Sequence, residues 1–296
     1  MKKTTMLRDL LNKPGFLCVP GAYDCLTARC AQAAGAKAVF MSGGSIRSAQ
    51  LGMPDIGIAT ASEVVSIAKY MADSVEIPLI VDADDGYGGA LAAYRTTTEL
   101  IKIGAAGILI DDQKHPTKCP FMGVQEVLPR DEYYGKIGAV LEARDKLDKD
   151  FVIVARIDAA ATLGDDEMLV RAKKCVELGV DVILPHAVPP KAKFKERGKE
   201  TLRELYKKVG APEVKIWAMG PREMTAADYE EVGAKMWVTA IPVGAVTKLV
   251  IDLYKDFLKT GTLRAFDTVE AGTILDMFRF AGLDFWTELE KKYVLA

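Results

Sequence analysis

Three aspartates carry the strongest chemical signal in this chain. Asp82 and Asp84 stand two residues apart in Asp82-Ala83-Asp84-Asp85-Gly86-Tyr87-Gly88-Gly89, directly after the apolar run Pro78-Leu79-Ile80-Val81. Residues two apart on a strand face the same side, so both carboxylates would point at one spot, which is costly without a cation. Asp111, in Asp111-Asp112-Gln113, follows the next apolar run in the same way. A bound metal explains such convergence better than three solvated loop residues, and all-oxygen ligation in a chain with two histidines favours Mg²⁺ or Mn²⁺ over zinc. Ser42-Gly43-Gly44-Ser45 follows an earlier run and reads two ways: a tight turn, or backbone N–H groups free to approach a carboxylate or phosphate. The stretch from Lys114 to Glu126 is long for a compact domain and reads as a lid. Within it Cys119 sits beside Lys118, a cation that would favour the thiolate; an incidental loop cysteine is the alternative.

Composition excludes several other chemistries. Lys and Arg number 39 against 41 Asp and Glu, so no basic excess suggests a nucleic-acid partner. His-Glu-x-x-His, a P-loop Lys-Ser/Thr and a Gly-x-Ser-x-Gly elbow are all missing. Five scattered cysteines without a Cys-x-x-Cys pair make a poor disulfide framework and suggest reduced thiols. Neither an apolar signal-peptide run nor a membrane-length apolar stretch occurs, so a cytoplasmic protein without a membrane partner is expected.

The elements that must position these residues are legible as an alternation. Eight short apolar runs begin at Phe16, Ala38, Pro78, Gly107, Phe151, Asp181, Val214 and Met236, and amphipathic segments lie between them. Val64, Ile67, Ala68 and Met71 have helical spacing, as do Met168, Leu169, Ala172, Cys175 and Val176. Thr60 with Glu63 forms a capping box, and Gly35, Gly104, Gly179 and Gly233 are placed to end helices. Eight strand-then-helix repeats predict a (β/α)₈ barrel over residues 1–261, with an open doubly wound sheet as the alternative. Residues 262–296 then form an aromatic-rich helical extension, either packed on its own barrel or exchanged with a neighbouring subunit. In such a barrel the site lies at the C-terminal strand ends, which is where Tyr23, Ser42, Asp82, Asp111, Arg156 and His186 fall.

The set Pro20-Gly21-Ala22-Tyr23-Asp24, Ser42-Gly43-Gly44, Leu51-Gly52-Met53-Pro54-Asp55-Ile56-Gly57, Asp82-Ala83-Asp84-Asp85-Gly86-Tyr87-Gly88, Asp111-Asp112-Gln113 and Ala155-Arg156-Ile157-Asp158-Ala159 resembles the isocitrate lyase and phosphoenolpyruvate mutase superfamily, over nearly the whole chain. The resemblance implies a Mg²⁺-dependent barrel with an exchanged C-terminal helix, usually tetrameric, acting on small 2-oxo or 2-hydroxy acids. It implies that Ser42, Gly43 and Gly44 bind the substrate carboxylate with Tyr23 nearby, and that Asp84 contacts Mg²⁺ while Asp55, Asp82 and Asp111 hold it or its waters. Arg156 would pair with substrate oxygens.

Several positions depart from the lyase pattern. The lid keeps Lys118-Cys119 but carries Pro120-Phe121 where lyases have Gly-His. Asp111 and Ile157 replace a glutamate and a threonine, Trp217-Ala218-Met219-Gly220 stands for Leu-Ala-Asn-Met, and His186 replaces a glutamate. An imidazole there removes negative charge and is a candidate binder of a substrate carboxylate or phosphonate. These residues favour a Mg²⁺-dependent lyase that splits a 2-hydroxy di- or tricarboxylate by retro-aldol chemistry, with Cys119 as proton donor on lid closure. The alternatives are phosphonomutase, phosphonopyruvate hydrolase or oxaloacetate decarboxylase chemistry, and a barrel that binds a carboxylate without turnover.

Overall fold

The computed structural model describes residues 1–123, 126–186, 198–218, 223–239, 242–267 and 272–294. Eight parallel strands close into a barrel in sequence order. They are β1 (Leu17–Ala22), β2 (Val39–Met41), β3 (Leu79–Asp82), β4 (Gly107–Asp111), β5 (Val152–Ile157), β6 (Val182–Pro185), β7 (Lys215–Ala218) and β8 (Met236–Thr239). β8 returns to β1 with Leu17 opposite Met236 and Pro20 opposite Thr239. Helices connect the strands, so the (β/α)₈ expectation holds and the open sheet is excluded.

Burial on both faces explains the apolar runs: every residue of β2, β4 and β6 is buried. The barrel interior is filled by Leu17, Val19, Phe40, Ile80, Leu109, Val154, Leu184, Trp217 and Met236, with Phe40 and Trp217 packed edge to face at 5.0 Å. One element escaped the sequence reading. Lys3–Asn12 is a helix whose Leu7 and Leu11 join this interior cluster. Its charged residues look solvated in sequence, yet Lys3 Nζ donates to the carbonyls of Ala72 and Val75, and Arg8 meets Asp181 at 2.8 Å.

Local signals for the connecting helices hold. Thr60 and Glu63 form a reciprocal capping box at the start of Ala61–Ser74, whose buried face is Val64, Ala68, Met71 and Ala72. Gly35, Gly104, Gly179 and Gly233 all have left-handed φ, between +84° and +99°.

The chain divides into two compact units, 1–240 and 241–296. The sequence division was drawn at 261, after the helix that follows β8. In the structure that helix, Pro242–Thr260, groups with Arg264–Asp267, Ile274–Phe280 and Leu283–Tyr293. Within the second unit Leu249, Tyr254, Phe257, Phe278, Phe285 and Trp286 are exposed. The side chain of Phe266 lies outside the described residues, as do Met219 and Gly220 and the side chain of Phe121. No helix among the described residues is long and apolar enough to cross a membrane.

Candidate active site at the C-terminal rim of the barrel

The rim is assembled from residues that follow β1 to β6. Ser42 is buried after β2, its N–H donating to the Ala22 carbonyl at 3.1 Å, and the chain then turns into a short helix, Gly43–Ile46. The Gly43 N–H donates to Asp82 Oδ2 at 3.2 Å. The freed backbone donor expected from the glycine pair therefore meets a carboxylate of the protein itself. A Cβ on Gly43 would lie 2.9 Å from that oxygen and 2.5 Å from Arg47 Nη1, which leaves no room for a side chain. Tyr23 is buried just beyond β1, and its carbonyl accepts from Gln50 Nε2 at 3.2 Å.

Asp82 ends β3, whereas Asp84 lies beyond it with a left-handed φ of +47°. The two are thus not related by strand alternation, although they do converge: the Asp84 N–H donates to Asp82 Oδ1 at 3.3 Å, and the Asp84 carbonyl accepts from the Asp111 N–H at 2.8 Å. Asp85, also buried, faces Lys136 at 3.7 Å and His115 Nδ1 at 3.6 Å.

The sequence reading missed Arg47. It begins a π-helical turn, Arg47–Leu51, and is fully buried at 0% exposure. Its Nη1 lies 3.0 Å from Asp55 Oδ1, and its Nη2 is paired with Asp84 Oδ2. Burial opposes the charge of Arg47, but Asp84, Tyr87, Asp82 and Asp55 hold it firmly protonated. Burial and the neighbouring Asp82 push the Asp84 carboxyl up, against the pull of its partner Arg47. A cation five residues past Ser42 was the available signal.

These contacts bear on the metal expected here. Among the described residues, no three or more His, Cys, Asp or Glu are arranged to hold a metal ion. Asp55 and Asp84 already face a guanidinium, and the side chain of the fully enclosed Asp111 accepts from the Gln113 N–H at 3.1 Å. The oxygen-rich donor set suits Mg²⁺ chemically, but its geometry as placed does not fit one.

A second network anchors the β4 to β6 side. Asp158 accepts from Arg156 Nε at 3.1 Å and Gln113 Nε2 at 2.7 Å, and its Oδ1 lies 2.6 Å from His186 Nδ1. Burial opposes its ionisation, yet Arg156, His186 and Gln113 prevail and hold the carboxyl well below the usual range. Burial lowers the His186 pKa, an effect that Asp158 opposes. The 2.6 Å contact with the ionised Asp158 occupies His186 Nδ1. Beneath this network Asp112 Oδ1 accepts the Asp158 N–H at 2.7 Å, and Arg171 Nη1 meets Asp112 Oδ2 at 3.1 Å.

The base of the lid is fixed. The Cys119 N–H donates to the Asp55 carbonyl at 3.1 Å, and the Lys118 N–H donates to Gln113 Oε1 at 2.9 Å while its side chain stays exposed. Gly57, at φ +74°, passes so close that a Cβ would lie 2.6 Å from Thr117 N.

Carboxylates and guanidinium groups at the rim of a closed barrel are suited to bind and polarise a small acid. The sequence profile described as Phosphoenolpyruvate phosphomutase matches residues 7–247. The chain belongs to this family. It is 31% identical to 2,3-dimethylmalate lyase of Eubacterium barkeri over 98% of this chain and 96% of that protein. It is 35% identical to 2-methylisocitrate lyase of Bacillus subtilis (strain 168), covering 64% of this chain and 61% of that protein. The structure of phosphoenolpyruvate phosphomutase from Streptomyces platensis subsp. rosaceus superposes with a TM-score of 0.89 at 30% identity, covering 99% of this chain and 100% of that one. Lyases and mutases are thus both among the relatives, and the chain is a member of the phosphoenolpyruvate mutase and isocitrate lyase superfamily.

Proposed function

We propose that the protein is a carbon–carbon lyase that cleaves a 2-hydroxy di- or tricarboxylate of the 2,3-dimethylmalate or 2-methylisocitrate type to a 2-oxo acid. The observation that carries this reading is the hydrogen bond from the Cys119 N–H to the Asp55 carbonyl, at 3.1 Å. It ties the thiol-bearing residue to the loop whose carboxylate faces Arg47. The 31% identity to a dimethylmalate lyase over almost the full chain supports the same chemistry.

In the proposed reaction the Ser42 and Gly44 segment and Tyr23 orient the substrate carboxylate, and Arg156 takes its second acidic group. Asp55, whose side chain is partly open to solvent, accepts the hydroxyl proton. The oxygen's electrons form the new carbonyl as the carbon–carbon bond breaks, and the bonding pair passes to the departing carboxylate fragment. Cys119 Sγ then gives its proton to that carbanion, and the proton held by Asp55 passes through water to the thiolate, which restores both groups. A lid that excludes bulk water protects the carbanion until this transfer. Because the carboxylates as placed do not fit Mg²⁺ or Mn²⁺, no step here depends on one.

The second unit supports an oligomer, with a homotetramer the arrangement we favour: Phe285 and Trp286, 63% and 65% exposed, suit burial between subunits by exchanged helices. Light scattering on the eluting protein tests this, and a monomer would refute it.

The test of function is 2-oxo acid release from 2,3-dimethylmalate, methylisocitrate, isocitrate and citramalate, beside oxaloacetate and phosphonopyruvate. A hydroxy acid should be cleaved, and Cys119→Ser should lower that turnover by about 100-fold or more with little change in KM. Turnover of only oxaloacetate or phosphonopyruvate would replace the lyase with decarboxylase or phosphonate chemistry. Full activity in Cys119→Ser would remove the thiol from the reaction.

A further inference from the structure

The unexplained group at the rim is Arg47. A guanidinium cannot shed its charge to escape burial, so a fully buried arginine must be matched by anions and hydrogen-bond acceptors. Asp84 and Asp55 supply the anions. The acceptors fall short: among the described residues Arg47 Nε is buried with no hydrogen-bond partner, and Nη1 meets Asp55 only as an ion pair without hydrogen-bonding geometry. The surrounding backbone is shaped to admit this side chain, since only a glycine at 43 leaves space for Nη1, and Gly44 likewise lies against Asp55, where a Cβ would be 2.9 Å from Oδ2. The π-helical turn beginning at Arg47 is pinned as well, its first carbonyl accepting from the Met53 N–H at 3.0 Å.

We propose that the Arg47 guanidinium is the built-in cation of this site, standing among the carboxylates in place of a divalent metal. A tethered guanidinium supplies one positive charge and directional donors where a metal would supply two charges and open coordination positions. Asp55 and Asp84 would then serve to hold the cation, and Asp82 to hold the Gly43 turn that makes room for it. This inference does not depend on which acid is cleaved.

The test is Mn²⁺ binding by electron paramagnetic resonance on the full chain without substrate, comparing the unsubstituted protein, Arg47→Ala, Arg47→Lys and the double variant Arg47→Ala with Asp84→Asn. The unsubstituted protein and Arg47→Lys should bind no Mn²⁺ at this site into the millimolar range. Arg47→Ala should bind one ion per chain at least about 100-fold more tightly, because a positive charge has left a partly dehydrated cluster of carboxylates. The double variant should lose that ion. One Mn²⁺ per chain in the unsubstituted protein, abolished by Asp84→Asn, would overturn the proposal. So would the absence of binding in both the unsubstituted protein and a folded Arg47→Ala, since the carboxylates would then show no affinity for the ion that Arg47 is said to replace. Should Arg47→Ala not fold, the unsubstituted protein and Arg47→Lys decide: one bound ion in either overturns the proposal, and no bound ion in both upholds it. A failed substrate panel leaves all these outcomes readable.

Discussion

Replacing Arg171 by methionine should expose how the rim is supported. Arg171 and Asp112 have side-chain exposures of 3% and 0%, and their contact is 3.1 Å. Methionine keeps most of the stem's packing and removes the charged head, which leaves the buried Asp112 carboxylate without its guanidinium and takes one partner from Glu167, still held by Arg130. Breaking a buried pair from one side typically costs about 3–5 kcal/mol, a large share of a domain's stability. The cost should also depend on pH in a defined direction. Burial and Asp158 already raise the Asp112 carboxyl to about 7 with Arg171 in place. A carboxyl raised in the folded state favours folding when protonated, and that contribution is lost as pH rises from the unfolded value, about 3.9, through 7. Without Arg171 the folded carboxyl titrates higher still, so the stability gap between variant and parent should be small near pH 5 and widest near pH 9. Urea unfolding at both pH values measures it from midpoints at constant slope. Adding Asp112→Asn, which keeps an acceptor for the Asp158 N–H but carries no charge, should recover more than half of the loss at pH 9. A loss below about 1 kcal/mol at pH 9, or one that does not vary with pH, would refute this account of the pair.

Other outcomes follow from the same coordinates. Leu7→Ala, at a fully buried position in the barrel interior, should cost about 2–5 kcal/mol in denaturant unfolding while leaving KM unchanged, because the cavity opens far from the rim. Gly43→Ala should leave the unfolding free energy within about 3 kcal/mol of the parent but raise KM strongly, since its Cβ displaces Arg47 Nη1; unchanged kinetics would show that the guanidinium position is unimportant. Cys175, buried and with its thiol pushed up to about 12, should stay unmodified by a thiol reagent at pH 8 under conditions that label the exposed Cys30, as read by mass spectrometry.

What could be read from sequence, and what could not, divides by the range of the interaction. The strands were legible because a parallel strand covered on both faces is apolar along its length, as in residues 107–110 of β4. Their ends were less so: Pro20-Gly21-Ala22 falls after the apolar run that begins at Phe16, yet β1 runs through it to Ala22, with Pro20 opposite Thr239 and Gly21 opposite Phe40. The rim residues were found because a barrel dictates where strand ends lie: Asp84 bonds through its backbone to the Asp82 side chain and to the Asp111 N–H there. Arg47 was missed because its partners lie at Asp55 and Asp84, and nothing within a helical turn distinguishes it from a solvated arginine. The Lys3–Asn12 helix was missed for the same reason, its charges being satisfied some 70 to 170 residues away at Ala72, Val75 and Asp181.

The crossing of Gly57 with Thr117, and the bond from Cys119 to Asp55 beside it, have an evolutionary consequence. Two loops that interlock at backbone distance must be inherited together, because a side chain added to one collides with the main chain of the other. Change is therefore channelled past the crossing, into the outer half of the lid that begins at Pro120. That is where this chain parts from the lid sequence of the lyases it resembles, carrying Pro120-Phe121 in place of Gly-His. Under the proposed function, a change of substrate acid would fall to the tip of this segment, while its root keeps Cys119 tied to Asp55.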